Sequence, residues 1–277
     1  MDTTTVSSQP QQKGKKFMPQ PRIGISMLYT LGEPFEKMLK RLSKVDTAYA
    51  EIVDDGFHTL NKRRVEALNK AAKSRDITYT VHCPFADINV ASPSKFMLNA
   101  SLKRLKQSMA YASQLDAKLW VLHPGLVTGI SPFYPGREWH QNAKSIQLLT
   151  EAAKNFNLRV AIENLPKKYG SIMKTPQDFA RLYAETGVDA GIVLDVGHAN
   201  LENQTESFIT QLPNKIWHFH LSDNVGEVDQ HLGIGYGRIN WEDFAARIMQ
   251  IDFKGIVMLE SVFNLEESFS KLQKLFA

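Results

Sequence analysis

Residues 191–198 read GIVLDVGH: a short apolar run that stops on Asp195, with His198 three positions further on. Val/Ile/Leu-rich runs bounded by turn residues mark parallel strands buried on both faces. Such a strand has no packing reason to end on a carboxylate. The same construction nevertheless recurs in TYTVHC (78–83, His82), LWVLHPG (119–125, His123), VAIENL (160–165, Glu163), HFHLSDN (218–224, His220) and IVMLES (256–261, Glu260). Parallel strands would bring these ends to one edge, where α/β barrels and open α/β sheets keep their chemistry. The loop after HFHLSDN adds DQH, with Asp229 and His231, so nine nitrogen or oxygen ligands are directed at one cavity.

Outward from these runs, strand-like and helix-like segments alternate. Strands are predicted over 22–26, 48–53, 78–82, 118–123, 159–163, 191–195, 216–221 and 255–260. Helical spacing is found over 33–42, 60–74, 93–115, 137–155, 175–185, 206–212, 240–251 and 265–276. In the third of these, Leu102, Leu105, Met109, Ala112 and Leu115 recur as the buried face of an outer helix requires. Thr175 before Pro176 and Asn240 before Trp241 have the chemistry of helix N-caps. Eight strand–helix units predict the α/β class and a single (β/α)8 TIM barrel. The competing doubly wound sheet lacks a GxGxxG after its first strand.

The chain has 277 residues, 43% hydrophobic and 22% charged, which suits one globular domain. A barrel takes about 250 residues, so residues 21–277 are assigned to it. Residues 1–20 are polar and lack an apolar signal core, and read as a disordered tail. The single cysteine, Cys83, allows no internal disulfide and fits a reducing, cytoplasmic setting. No apolar stretch approaches the ~18 residues that span a bilayer, so a membrane partner is not expected. The net charge of +4 is compatible with a phosphate-bearing partner, although Lys13, Lys15 and Lys16 of the tail supply part of it.

One histidine at a strand end is usually a hydrogen-bonded structural residue. The joint pattern changes that balance. Burying so many titratable groups uncompensated costs on the order of several kcal/mol each, and divalent cations remove the cost by coordinating neutral imidazole and ionised carboxylate. The mixed His/carboxylate donors suit Zn²⁺, with Mn²⁺ or Fe²⁺ also accommodated. Zn²⁺ usually accepts about four ligands, so a shared carboxylate would let the set hold two or three ions. His218 faces the same interior as His220 and reads as a partner holding a ligand in its tautomer. His58 and His140 read as structural, and Cys83 as a packing residue turned from the cavity. Glu51, Asp54 and Asp55 in AEIVDDG form either a solvated turn or an acidic edge of the pocket.

The motifs HCPFADINVAS, VLHPG, IENLP, LDVGHAN, HLSDN, VDQHLGIGYGRINW and LES together resemble the endonuclease IV (AP endonuclease family 2) and sugar isomerase/epimerase superfamily, the xylose isomerase-like TIM barrels. The resemblance runs from Arg22 to the C-terminus. It implies a first zinc held by His82, His123 and Glu163, and a second by Glu163, Asp195, His220 and Glu260. His198, Asp229 and His231 would hold a third. The implied activity is phosphodiester hydrolysis at abasic sites in DNA, with Phe85 where that family places an aromatic wedge. Strand two departs from this pattern and looks more like the isomerase/epimerase branch, and the segment after Glu260 is short and without a basic loop. In that branch Glu163, Asp195, His220 and Glu260 suffice, and Glu163 and Glu260 are the catalytic proton carriers. The readings are therefore a metal-dependent phosphoesterase acting on DNA, a sugar or sugar-phosphate isomerase/epimerase, and a binding protein without catalysis. Arg137, Lys167 and Lys168 are the substrate-contact candidates near the mouth.

Overall fold

The computed structural model describes residues 20–277; the predicted tail, except for its last residue, lies outside the described residues. The strands are β1 (Arg22–Ser26), β2 (Tyr49–Val53), β3 (Thr78–His82), β4 (Trp120–Leu122), β5 (Val160–Glu163), β6 (Gly191–Asp195), β7 (Ile216–Leu221) and β8 (Ile256–Leu259). Each pairs with its neighbours, and β1 pairs with β8 to close a parallel barrel. The predicted (β/α)8 TIM barrel is the observed fold.

Alternation along each strand divides the core. On β6, Ile192 and Leu194 face the helices, while Val193 joins Leu119, Val121 and Ala161 in a small cluster inside the barrel. Trp120 on β4 faces outward, and its indole N–H donates to Ser108 Oγ at 3.1 Å. The interior is uneven. Aliphatic side chains fill it near β4–β6, whereas buried Glu51, Thr80, His218 and His220 occupy the β2, β3 and β7 side.

The helices are α1 (Phe35–Leu42), α2 (Lys62–Arg75), α3 (Lys95–Gln114), α4 (Arg137–Lys154), α5 (Pro176–Thr186), α6 (Val196–Leu201), α7 (Thr205–Gln211), α8 (Trp241–Gln250) and α9 (Leu265–Leu275). Their starts follow side-chain caps. Asn61, Ser94, Thr175 and Asn240 each accept a backbone N–H three residues on, and Asp178 completes a capping box with Thr175. Those caps place α2 and α3 two residues later than their predicted starts. Leu105, Met109 and Ala112 are buried on α3, as its spacing requires, while Leu102 is only partly covered. Helix α6 is absent from the sequence-based assignment. It begins directly after Asp195, whose Oδ1 caps it by accepting His198 N–H at 2.6 Å. Among the described residues no helix is long and apolar enough to cross a membrane.

Candidate metal centre

The sheet register carries the strand-end groups to one rim. His82, Glu163 and Asp195 are the last residues of β3, β5 and β6; His123 and Glu260 directly follow β4 and β8; His220 is next to last in β7. Behind His123, a Cβ on Gly125 would collide with Ala91, so only glycine lets the loop after β4 pack this closely on the loop after β3.

The nine predicted ligands fall into three neighbouring sets: His82, His123 and Glu163; Glu163, Asp195, His220 and Glu260; and His198, Asp229 and His231. Within each set the ligand atoms lie within 4.8 Å of one another. Glu163 belongs to two sets. Its Oε2 is 3.3 Å from His82 Nε2, 3.2 Å from His123 Nε2 and 3.6 Å from His220 Nδ1. Glu260 Oε2 approaches His220 Nδ1 at 3.0 Å. In the third set, His198 Nε2 and His231 Nε2 converge on Asp229 Oδ2 at 3.1 and 3.0 Å.

Three histidines are oriented by the backbone. Each Nδ1–H donates to a carbonyl: His82 to Cys83 O at 2.8 Å, His198 to Asn164 O at 2.9 Å and His231 to Glu260 O at 3.0 Å. A neutral imidazole so held offers the lone pair of Nε2 to the cavity. Asn164 also pairs with the backbone of Asp195 in both directions, at 2.8 and 3.1 Å.

The electrostatics are those of opposite charges packed away from water. Burial alone would lower His82, but the hydrogen bond and charge of Glu163 outweigh it and raise the group to about 9. At His231 burial is likewise outweighed, by Asp229, and the group rises to about 9. Burial also opposes ionisation of Glu163, yet His220 and His123 hold it well below the ordinary carboxylate range. Asp195 goes the other way. Burial, with Glu163 and Glu260 nearby, pushes it up to about 7 against the pull of His198. Among protein groups alone, imidazolium protons therefore balance the carboxylates.

The donor set fits a divalent cation. Asp195 Oδ2, Asp229 Oδ1 and both ring nitrogens of His220 are buried without a properly aligned hydrogen-bond partner, although charged neighbours surround them. A cation would satisfy such atoms with nitrogen and oxygen donors alone. Cys83 supplies no sulfur: it is buried in the outer core, and its Sγ–H donates to Pro84 O at 3.3 Å.

A family profile for xylose isomerase-like TIM barrels matches residues 39–275. The chain belongs to that family. Among curated relatives, an uncharacterized protein of Methanocaldococcus jannaschii is 30% identical over 230 residues, covering 82% of this chain and 88% of the relative. D-psicose 3-epimerase of Ruminiclostridium cellulolyticum is 22% identical, covering 82% and 78%. A probable endonuclease 4 of Carboxydothermus hydrogenoformans is 24% identical, covering 70% and 74%. The chain is also similar to a crystal structure of a D-tagatose 3-epimerase-like protein, with TM-score 0.85 and 25% identity over 92% of this chain and 96% of that one.

Around the candidate ligands of this family member, the remaining candidates are placed unevenly. Phe85 stacks on His123 and meets His82 edge-on, each at 5.4 Å between centroids, so it covers the first set. Arg137 lies over the Tyr134 ring in a cleft shared with Ala91, Pro93 and Glu138 that no ligand lines. Lys167 and Lys168 are exposed on a short 3-10 turn. The third residue of that turn, Tyr169, is the one that reaches the candidate ligands Asp229 and His198. Its hydroxyl donates to Asp229 Oδ2 at 3.2 Å, and its ring meets His198 edge-on. The lysine pair drew attention to this loop, but nothing in the sequence singled out the tyrosine.

The acidic cluster of strand two resolves into separate roles, and no member is a solvated carboxylate of a free turn. Asp54 is buried, paired with Arg104 at 2.7 Å and accepting Leu60 N–H. Asp55 pins the Phe85 loop by accepting Phe85 N–H and Ala86 N–H, each at 2.8 Å. Glu51 points into the barrel, next to His218 and His220. His58 is buried with Nε2 3.0 Å from Glu33 O, and His140 is exposed on α4.

Proposed function

We propose that the chain is a multinuclear metal-dependent phosphoesterase whose substrate is a phosphate ester, with abasic-site DNA as the first candidate. The observation that carries this reading is the adjacency of three ligand sets, two of them sharing Glu163. A single four-coordinate ion would use four of the nine groups and leave the other five to compensate one another as imidazolium–carboxylate pairs. When bound, such ions supply electrostatic stabilisation of charge developing on phosphate oxygens. Zn²⁺ is the ion proposed, with Mn²⁺ or Fe²⁺ suited to the same donors.

The chain's own residues then divide the work. Glu163 serves the first and second sets together, and Glu260 and Asp195 complete the second. Phe85 shields His82 and His123 from water and limits approach from that side. Tyr169 steadies Asp229 through its hydroxyl and presents its exposed ring edge to an incoming substrate. Lys167 and Lys168 beside it would give a phosphate a favourable approach.

A second reading, a sugar or sugar-phosphate epimerase, is favoured by the likeness to the D-tagatose 3-epimerase-like structure. Here Glu163 and Glu260 would carry the proton between faces of the substrate, and the third set would bind substrate. Cleavage of an abasic-site duplex and of a simple phosphodiester, run beside interconversion of ketoses and ketose phosphates, decides between them. Hydrolysis that depends on added Zn²⁺ or Mn²⁺ is expected. Protein that leaves both esters intact under each ion but interconverts a sugar would replace the first reading with the second.

A further inference from the structure

Glu51 belongs to none of the three sets, yet it lies inside the barrel with 0% exposure. One of its oxygens, Oε2, accepts from Thr80 Oγ1 at 2.9 Å and is 3.6 Å from His218 Nε2. The other, Oε1, lies 3.1 Å from His220 Nε2, within ion-pair distance but out of line for a hydrogen bond. The opposite nitrogen of His220, Nδ1, faces Glu260 and Glu163 at 3.0 and 3.6 Å. His220 thus stands between a carboxylate below and the second ligand set above. A neutral imidazole has one lone pair and one N–H, and the group hydrogen-bonded to one nitrogen decides which is which.

We propose that Glu51 is a positioning residue: it holds the His220 proton on Nε2 and so presents Nδ1 to a cation shared with Glu163, Asp195 and Glu260. This role rests on the metal-centre reading above. It inverts the arrangement at His82, His198 and His231, where a backbone carbonyl takes the Nδ1 proton and Nε2 faces the cavity. A carboxylate in that position raises the basicity of the ligand more than a neutral carbonyl does. Thr80 Oγ1, donating to the other oxygen, keeps the Glu51 carboxylate from turning away. The three residues Glu51, His218 and His220 also lie close enough to hold an ion themselves. That use would make His220 give both nitrogens to cations and lose both protons, which a shared proton with Glu51 avoids.

The test uses the full chain with ¹⁵N-labelled histidine, loaded with Zn²⁺. His220 nitrogen shifts are recorded, and zinc affinity at each set is measured by chelator competition, for wild type, Glu51→Gln, Glu51→Asp and His218→Gln. In the wild type, Nε2 of His220 is expected to be protonated and Nδ1 metal-bound. Glu51→Gln should weaken the second set by about 10–100-fold, while the His198/Asp229/His231 set keeps its affinity and so certifies the fold. Glu51→Asp, which keeps the carboxylate, should recover part of the loss, and it replaces Glu51→Gln if the latter does not fold. Wild-type zinc affinity and an unchanged His220 spectrum in Glu51→Gln overturn the role. So does the loss of one whole ion per chain in both Glu51→Gln and His218→Gln, which would make these residues ligands. Wild-type protein that takes up no Zn²⁺ overturns the metal centre and this role together, and its stoichiometry distinguishes that result from failure at Glu51 alone.

Discussion

Glu163, Asp195, His220 and Glu260 sit at strand ends and are 0–3% exposed; the Asp229 and His231 side chains, on the loop between β7 and α8, are 6% and 20% exposed. The deep set takes its geometry from the register of a closed sheet, so each candidate ligand is carried on, or directly after, a paired strand. The rim set depends on how one irregular loop is tied down. Asp223 does much of this. It accepts Gly235 N–H, Ile239 N–H and the Trp241 indole N–H, at 2.9, 3.2 and 2.9 Å. His231 itself has φ +46°, a left-handed backbone that a non-glycine residue adopts at a cost of about 1–3 kcal/mol. The contrast is between ligands placed by the scaffold and ligands placed by local ties.

The largest effect belongs to the carboxylate that lies in two sets. Glu163→Ala should lower affinity at the first and second sets by more than about 100-fold, beyond what loss of an outer partner causes. Elemental analysis of the purified variant checks this; wild-type stoichiometry and activity would remove Glu163 from the centre.

At the rim, Asp229→Ala and His231→Ala should each leave the deep set loaded. In the phosphoesterase reading they cut the turnover rate by about 10²–10³-fold. Steady-state kinetics separates this from the epimerase reading, in which the two changes raise KM and spare kcat. An equal loss of deep-set metal in these variants would erase the distinction between the regions.

Chelation should act on both regions and still spare the fold. A barrel core of this size closes without metal, unlike a small zinc domain. EDTA is expected to lower Tm while unfolding remains a single cooperative transition, and a featureless calorimetric trace would show the ions to be structural. The smallest change is expected from Tyr169→Phe, which removes one hydrogen bond to Asp229. At about 0.5–1.5 kcal/mol, it should weaken rim-set affinity by no more than about tenfold, with the deep set as internal control in the same titration.

The legible and illegible parts of the molecule follow the same division. Strand ends could be read because a run such as GIVL has one structural meaning and Asp195 at its end is out of place there. Asp229 and His231 could be noticed, but how their loop is held could not, since Asp223 works through backbone and indole N–H donors 12 to 18 residues away. Glu51 was hidden among three acids in AEIVDDG. Its inward aim follows from pairing of Glu51 with Thr80 and of Val53 with His82, a register that one strand's sequence does not contain. Helix α6 escaped detection because six residues carry too little periodicity to register.

Asp195 has two obligations, one from each of its oxygens. Oδ1 closes the first turn of α6, the helix that carries His198, while Oδ2 is buried with no hydrogen-bond partner and is left for the deep set. Whatever fixes that carboxylate from the deep side also fixes the start of the helix that aims a rim ligand. If cations occupy both regions, this shared carboxylate would couple them equally in both directions, by less than the losses expected of the variants above. The centre should fill in a preferred order, with the deep position first, and calorimetric titration of one ion type would show interacting steps in place of independent sites.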